Sequence, residues 1–356
     1  MRIQSIEVQP LNLRLQTALT VAYGSYPELN YALLKVTADN GLVGLGEASP
    51  DPEVTGETQA SVIAALREAS AFLVGADPFD IESILQLCLE RIAAFPAAVA
   101  AIDMALYDLM GQGLQVPVHQ LLGGRFRKTV ALYPVIPLDK PQVMAEMSGK
   151  FVEMGADRLK VKLGENPDAD LKRLEEIRSA VGADVKLRLD VNQGWRDAAT
   201  SIRAIQALSG FNVEWIEQPV AAADLEGLAA VAKNVDVPIM ADESCRNSAD
   251  VFKIACMGAA SLINVKLMKC GGIYQAAKMI AAAESAGLGC ILGSMGESSI
   301  GSAAGLHLVV AKSALIACEL IGPLFITNDP AGGYEANLAA LRAIPSEKPG
   351  LGAYLK

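Results

Sequence analysis

The sequence is short of positive charge. Its 356 residues carry 30 Lys and Arg against 40 Asp and Glu, a formal net charge of −10. A surface of that sign repels phosphate backbones and anionic lipid, so nucleic acid and membrane are excluded as partners. Long hydrophobic runs are also missing. The most apolar late segment, "GLHLVVAKSALIACELIGPLF", is broken by His307, Lys312 and Glu319, and it reads as a helix followed by a strand, not a membrane span. The opening "MRIQSIEVQPLNLRL" alternates apolar and polar residues and lacks the continuous apolar core of a signal peptide. Cys88, Cys245, Cys256, Cys270, Cys290 and Cys318 show no CxxC or other metal-ligand spacing, and read as buried thiols of a cytoplasmic chain. The two histidines read as structural, His119 in a loop and His307 on a helix face. No low-complexity linker divides the chain. What is present is 52% hydrophobic and 20% charged residues, enough for a large core in about two domains.

The second half repeats itself. Apolar strand-like runs begin near Val130, Arg158, Val185, Val213, Pro238, Ser261, Gly289 and Ala317, at spacings of 23 to 28 residues, with helical patterns between them. Eight strand-helix units of that length predict a (β/α)8 barrel over residues 126–325. Residues 1–50 read as antiparallel strands, with a hairpin turn at Asn40 and Gly41, and residues 57–113 as mostly helical. This predicts an α+β domain over residues 1–125, with the tail 326–356 packing back on it.

Chemistry in such a barrel sits where the strands end. Strand two, "RLKVKLG", carries Lys160 and Lys162 on one face. Strands three, four and five end on Asp190, Glu217 and Asp242, and strand six on Lys266. Three acids converging at one rim repel one another unless a cation sits among them. An all-oxygen set favours a hard ion, Mg²⁺ with Mn²⁺ as substitute. Strands two and six are four apart in a ring of eight, so Lys162 and Lys266 would face each other across the mouth. That suits removing a proton from one side of a carbon and returning it to the other. Lys160, one layer deeper, would lower the Lys162 pKa. Trp195 either lines the site or covers the rim, and Lys269 reads as a solvated loop residue.

The quoted motifs resemble the enolase superfamily, muconate-lactonizing subgroup, over nearly the whole chain. They are "KVK" at 160–162, "LDVNQGW" at 189–195, "IEQP" at 216–219, "ADES" at 241–244 and "INVKLMKCGG" at 263–272. The resemblance implies Asp190, Glu217 and Asp242 as Mg²⁺ ligands, Lys162 and Lys266 as acid/base catalysts, Lys160 and Asn192 as supporting residues, a small carboxylate substrate and a homo-oligomer. Within the subgroup, "VTGET" at 54–58 and "GSMGESS" at 293–299 resemble the dipeptide epimerases. Tyr23, Thr55, Ser294, Glu297, Glu319 and Ile321 are then the expected substrate contacts. Dipeptide epimerases usually end strand eight with an Asp-x-Asp that holds the substrate ammonium. Here Glu319 replaces the first Asp and Ile321 the second, which is closer to the muconate cycloisomerases. The expected activity is epimerisation or racemisation of a dipeptide or amino-acid derivative. The alternatives are cycloisomerisation, acid or imino-acid dehydration, and a non-catalytic binding barrel, against which the two intact lysines speak.

Overall fold

The computed structural model describes residues 1–337 and 339–356. Three antiparallel strands open the chain: β1 (Ile3–Val21), β2 (Gly24–Ala38) and β3 (Val43–Ala48). β1 and β2 form a long hairpin that closes at Ala22 and Tyr23, with Val21 opposite Gly24. Four helices follow: α1 (Gln59–Leu73), α2 (Ile81–Arg91), α3 (Pro96–Leu114) and α4 (Val118–Leu121). α1 starts at a reciprocal cap, in which Thr58 and Ser61 each bond the other's backbone N–H. α3 is buried along most of its length, as its run of Ala, Val, Ile and Leu requires.

The stretch from Val130 to Ile136, expected as one strand, is two. Pro134 interrupts it. β4 (Val130–Ala131) pairs with a strand of the tail, and only β5 (Val135–Ile136) enters the barrel. The chain then runs α5 (Pro141–Glu153), β6 (Arg158–Lys162), α6 (Pro167–Val181), β7 (Lys186–Asp190), α7 (Ala198–Gln206), β8 (Val213–Glu217) and α8 (Leu225–Asn234). It continues β9 (Ile239–Ala241), α9 (Ser248–Met257), β10 (Leu262–Val265), α10 (Leu267–Cys270), α11 (Ile273–Ser285), β11 (Gly289–Leu292), α12 (Ser299–Ala311) and β12 (Leu315–Cys318). β5 to β12 form one eight-stranded sheet in sequential order, each paired in parallel with the next. The fold is a (β/α)-barrel with an N-terminal α+β cap. Its eighth unit departs from the repeat: β12 is followed by a 3-10 turn, Gly322–Leu324, not a long helix.

The tail forms β13 (Ala331–Gly332), β14 (Glu335–Asn337), β15 (Arg342–Ile344) and β16 (Tyr354–Leu355). β15 pairs with β4, and Gly350 bridges to Pro117 beside α4. The tip of the β1–β2 hairpin docks on the barrel loops, where Leu138 donates its N–H to the Thr20 carbonyl at 2.8 Å. Gly164, just beyond β6, has φ +106°, and a Cβ there would lie 2.9 Å from that of Ala22, so only glycine admits the hairpin tip at this distance. Among the described residues no helix is long and apolar enough to cross a membrane.

Candidate active site

The C-terminal ends of β6 to β10 bring four lysines and a group of carboxylates together. Asp190 and Glu217 end β7 and β8, Asp242 directly follows β9, and all three are 0% exposed and offer oxygens that lie within 4.8 Å of one another. Local chemistry fixes them. Gln218, at φ +41°, accepts the Asp242 N–H at 3.0 Å and donates to the Ser244 hydroxyl at 2.8 Å, tying the end of β8 to the end of β9. Asn264 donates to Glu217 Oε1 at 2.8 Å, and a Cβ at Gly293 would sit 2.2 Å from the Asn264 side-chain oxygen. The glycine thus leaves room for the residue that orients Glu217.

Lysines hold these carboxylates. Lys162 Nζ donates to Asp190 Oδ2 at 2.7 Å and to Asn192 Oδ1 at 2.9 Å. Lys266 Nζ donates to Asp242 Oδ2 at 2.7 Å. Lys160 is surrounded by acids: Asp190 at 2.9 Å, Glu217 at 2.9 Å and both oxygens of Glu319 at 2.8 and 2.9 Å. The sequence predicts that its charge bears on Lys162. In the structure its ammonium is paired with three carboxylates. Lys269, expected in solvent, is 3% exposed. The single turn of α10 carries it back beneath Asp242, where it bonds the carboxylate and carbonyl of that residue and the Asn264 carbonyl.

Burial and pairing oppose each other throughout. Burial pushes the Asp190 carboxyl up, but Lys160 and Lys162 outweigh it and hold it below the usual range. Asp242 behaves likewise, held down by Lys266 and Lys269. Glu217 goes the other way, raised by burial and by Asp190 against the pull of Lys160. Burial lowers Lys160 and Lys266, yet the surrounding acids keep both above the ordinary lysine value.

A cavity of about 410 Å³ opens over this cluster. Lys160, Lys162, Asn192 and Lys266 form its floor, with Ser294 and Met295 on one side and Glu319 and Ile321 on another. Val21, Tyr23 and Tyr26 of the hairpin, with Asp51, Pro52, Glu57 and Thr58, cover it. Two expected substrate contacts do not line the cavity. Thr55 is turned into its own loop, where its hydroxyl and the Asp51 backbone bond each other at 3.1 Å. Glu297 is buried behind the loop, accepting from the Ser294 hydroxyl and from the Met295 N–H at 3.0 Å. Trp195 likewise packs away from the cavity, donating to Asp170 at 2.8 Å. One neighbour was missed: Glu243, 2% exposed, accepts from Asn192 Nδ2 at 3.1 Å. Its position beside Asp242 in "ADES" was the only available signal.

The donor set fits a hard divalent cation. The ligand atoms are all carboxylate oxygens, and five carboxylates (Asp190, Glu217, Asp242, Glu243 and Glu319) stand against four ammonium groups (Lys160, Lys162, Lys266 and Lys269).

Residues 4–123 match the mandelate racemase / muconate lactonizing enzyme N-terminal domain, and residues 142–356 the enolase C-terminal domain-like family. The chain belongs to the enolase superfamily, muconate-lactonizing subgroup. It is 39% identical to an N-succinyl-L-Arg/Lys racemase of Bacillus cereus over 99% of this chain and 95% of that one. It is 40% identical to a hydrophobic dipeptide epimerase of Enterococcus faecalis over 94% of each. The crystal structure of the Bacillus cereus racemase superposes with a TM-score of 0.97 at 38% identity, covering 100% of this chain and 96% of that one. That of an Enterococcus faecalis dipeptide epimerase, complexed with Mg and L-Leu-L-Tyr, superposes with a TM-score of 0.95 at 39% identity over 99% of each chain. The protein is an isomerase of the racemase and epimerase class.

Proposed function

We propose that this enzyme racemises or epimerises an N-acylated amino acid, with Lys162 and Lys266 as bases on opposite faces of the α-carbon. The observation that carries the reading is that both lysines, from strands four apart in the sheet, line one cavity with the carboxylate triad between them. In this reading residues 1–125 and the tail 326–356 form the cap, and 126–325 the catalytic barrel. Asp190, Glu217 and Asp242 would hold Mg²⁺, which when bound draws off the negative charge that a substrate carboxylate gains on losing its α-hydrogen. One lysine, turned from its carboxylate toward the substrate and neutral, takes the α-proton. The opposite lysine, charged, donates a proton to the other face. Asn192 steadies Lys162. Tyr23 and the 51–58 loop close the mouth and exclude water.

Strand eight favours an uncharged acyl group on the α-nitrogen. Both oxygens of Glu319 are taken by Lys160, and Ile321 is apolar, so strand eight has no free acid for a substrate ammonium. Among the described residues the cavity lining holds no cation beyond Lys160, Lys162 and Lys266, so nothing there favours a second carboxylate on the acyl group. Mass spectrometry in D₂O with Mg²⁺ tests this across N-acyl amino acids, N-succinyl amino acids and dipeptides. Neutral N-acyl amino acids gain one mass unit and lose configuration fastest. A preference for dipeptides or N-succinyl substrates overturns the substrate class, and loss of water or isomerisation without exchange overturns the reaction.

A further inference from the structure

Glu243 is a buried carboxylate with little to hold it. Its side chain accepts one hydrogen bond, from Asn192 Nδ2 at 3.1 Å, and Oε2 has no partner among the described residues. A buried acid with one satisfied oxygen costs stability, so its single bond calls for an explanation. That bond ends on Lys162. Asn192 Oδ1 accepts from Lys162 Nζ at 2.9 Å while its Nδ2 donates to Glu243. A lysine only donates and a carboxylate only accepts, which fixes the orientation of the Asn192 amide. The Asn192 backbone is pinned too, at φ +43°, with its N–H on Asp190 Oδ1 at 3.0 Å. No hydrogen-bonded arm reaches Lys266, whose ammonium has one hydrogen bond among the described residues, to Asp242; Glu243 bears on Lys266 through charge alone.

We propose that Glu243 is a positioning residue for Lys162, acting through Asn192, so that it aims the base on one face of the substrate only. The inference rests on the two-lysine reading above. Glu243 stops Asn192 from rotating, and Asn192 aims the Lys162 ammonium. Lys266 is aimed without it. Loss of Glu243 then slows proton removal from the enantiomer whose α-hydrogen points at Lys162 and spares the other. A role in folding alone would not split the two faces.

The experiment is initial-rate deuterium incorporation in D₂O with Mg²⁺, measured separately on the two enantiomers of an N-acyl amino acid. Lys162→Ala and Lys266→Ala assign the faces, each abolishing exchange of one enantiomer. Glu243→Ala is expected to slow exchange on the Lys162 face by about 10- to 100-fold, the range for residues that orient a functional side chain, and to leave the Lys266 face nearly unchanged. Glu243→Gln, which still accepts from Asn192, restores most of that rate. Asn192→Ala reproduces the one-sided loss, and the double variant is no slower than Asn192→Ala alone. Should Glu243→Ala fail to fold by circular dichroism, Glu243→Asp, shorter by one methylene, carries the same comparison. Equal slowing of both faces, or of neither, overturns the role of Glu243. A wild-type enzyme that exchanges neither enantiomer overturns the two-lysine reading and this inference with it.

Discussion

Two regions of this molecule bury ionisable groups, and they do so in opposite ways. At the barrel mouth, acids and lysines are packed side by side, and the net direction at Asp190, Asp242, Lys160 and Lys266 is toward the charged form. At the seam between cap and barrel, acids stand without a cation. Glu47 of β3 reaches the N-terminus of α12, accepting from the Ser298 and Gly301 N–H groups at 3.0 Å. Asp103 of α3 does the same for α11, accepting from the Ile273 and Tyr274 N–H groups. Backbone N–H groups at a helix start offset burial only in part. Glu47 is pushed up to about 7 and Asp103 to about 8. The same residue types therefore serve two ends. Paired, they remain charges that a reaction can use; unpaired, they cap helices and lock one domain's register against the other.

The largest effects should come from breaking the mouth. On the two-lysine proposal, removing either Lys162 or Lys266 takes away a proton-transfer group, normally a factor of about 10² to 10⁴ in rate. Lys162→Ala and Lys266→Ala should each lose racemisation by at least that factor while Mg²⁺ still binds in calorimetry. Racemisation unchanged in both would dissolve the contrast between working and structural charges. Next is Lys269→Met, which leaves Asp242 Oδ1 buried without its cation. Breaking a buried pair from one side costs roughly 3–5 kcal/mol. Urea unfolding of the metal-free protein should show a loss of that order, and a change under about 1 kcal/mol would mean that Lys269 is no part of the carboxylate cluster.

These contrasts also explain what could be read from the chain. Asp190, Glu217, Asp242, Lys162 and Lys266 were legible because a strand's period and its C-terminal end fix where one side chain goes. Lys269 was not, since a four-residue helix has no period to detect, and that turn alone decides whether the lysine meets solvent or Asp242. Thr55 and Glu297 sit in the motifs that drew attention to them, but within a loop sequence does not tell which side chain faces the cavity. The seam was invisible for another reason. Glu47 and Ser298 are 251 residues apart, and nothing local marks an acid that will cap a helix from another domain. The split of the first barrel strand was announced only by Pro134.

Glu47 sharpens the comparison through pH. Its folded pKa lies above the usual carboxylate value, so the stability it contributes is fully present below about pH 4.5 and is lost as pH rises through 7. Glu47→Gln should flatten that decline in urea midpoints measured from pH 5 to 8. An unchanged slope would place Glu47 among the ionised groups, as at the mouth.

The smallest effect is expected at the seam's two histidines. His119 and His307 stack with ring centroids 5.2 Å apart, and their Nδ1 atoms are 3.1 Å apart. His307 Nε2 lies 3.1 Å from the Leu351 carbonyl, which can only accept, so this nitrogen carries the proton. Its Nδ1 then accepts from the His119 backbone N–H at 3.3 Å, and the ring is neutral. Burial, with His119 adding to it, brings His307 down to about 4. The sign is opposite to that of Glu47: the contribution is present above about pH 6.5 and is lost as pH falls toward 4. Protonating Nδ1 would set two donors against each other and separate α4 from α12. Between pH 6.5 and 5 a single group with this shift costs about 1.5 kcal/mol. His307→Gln should remove that acid-side loss, read as the difference in urea midpoint between the two pH values. If the variant loses as much as the parent, the acid sensitivity lies with the paired charges at the mouth, and the seam contributes register alone.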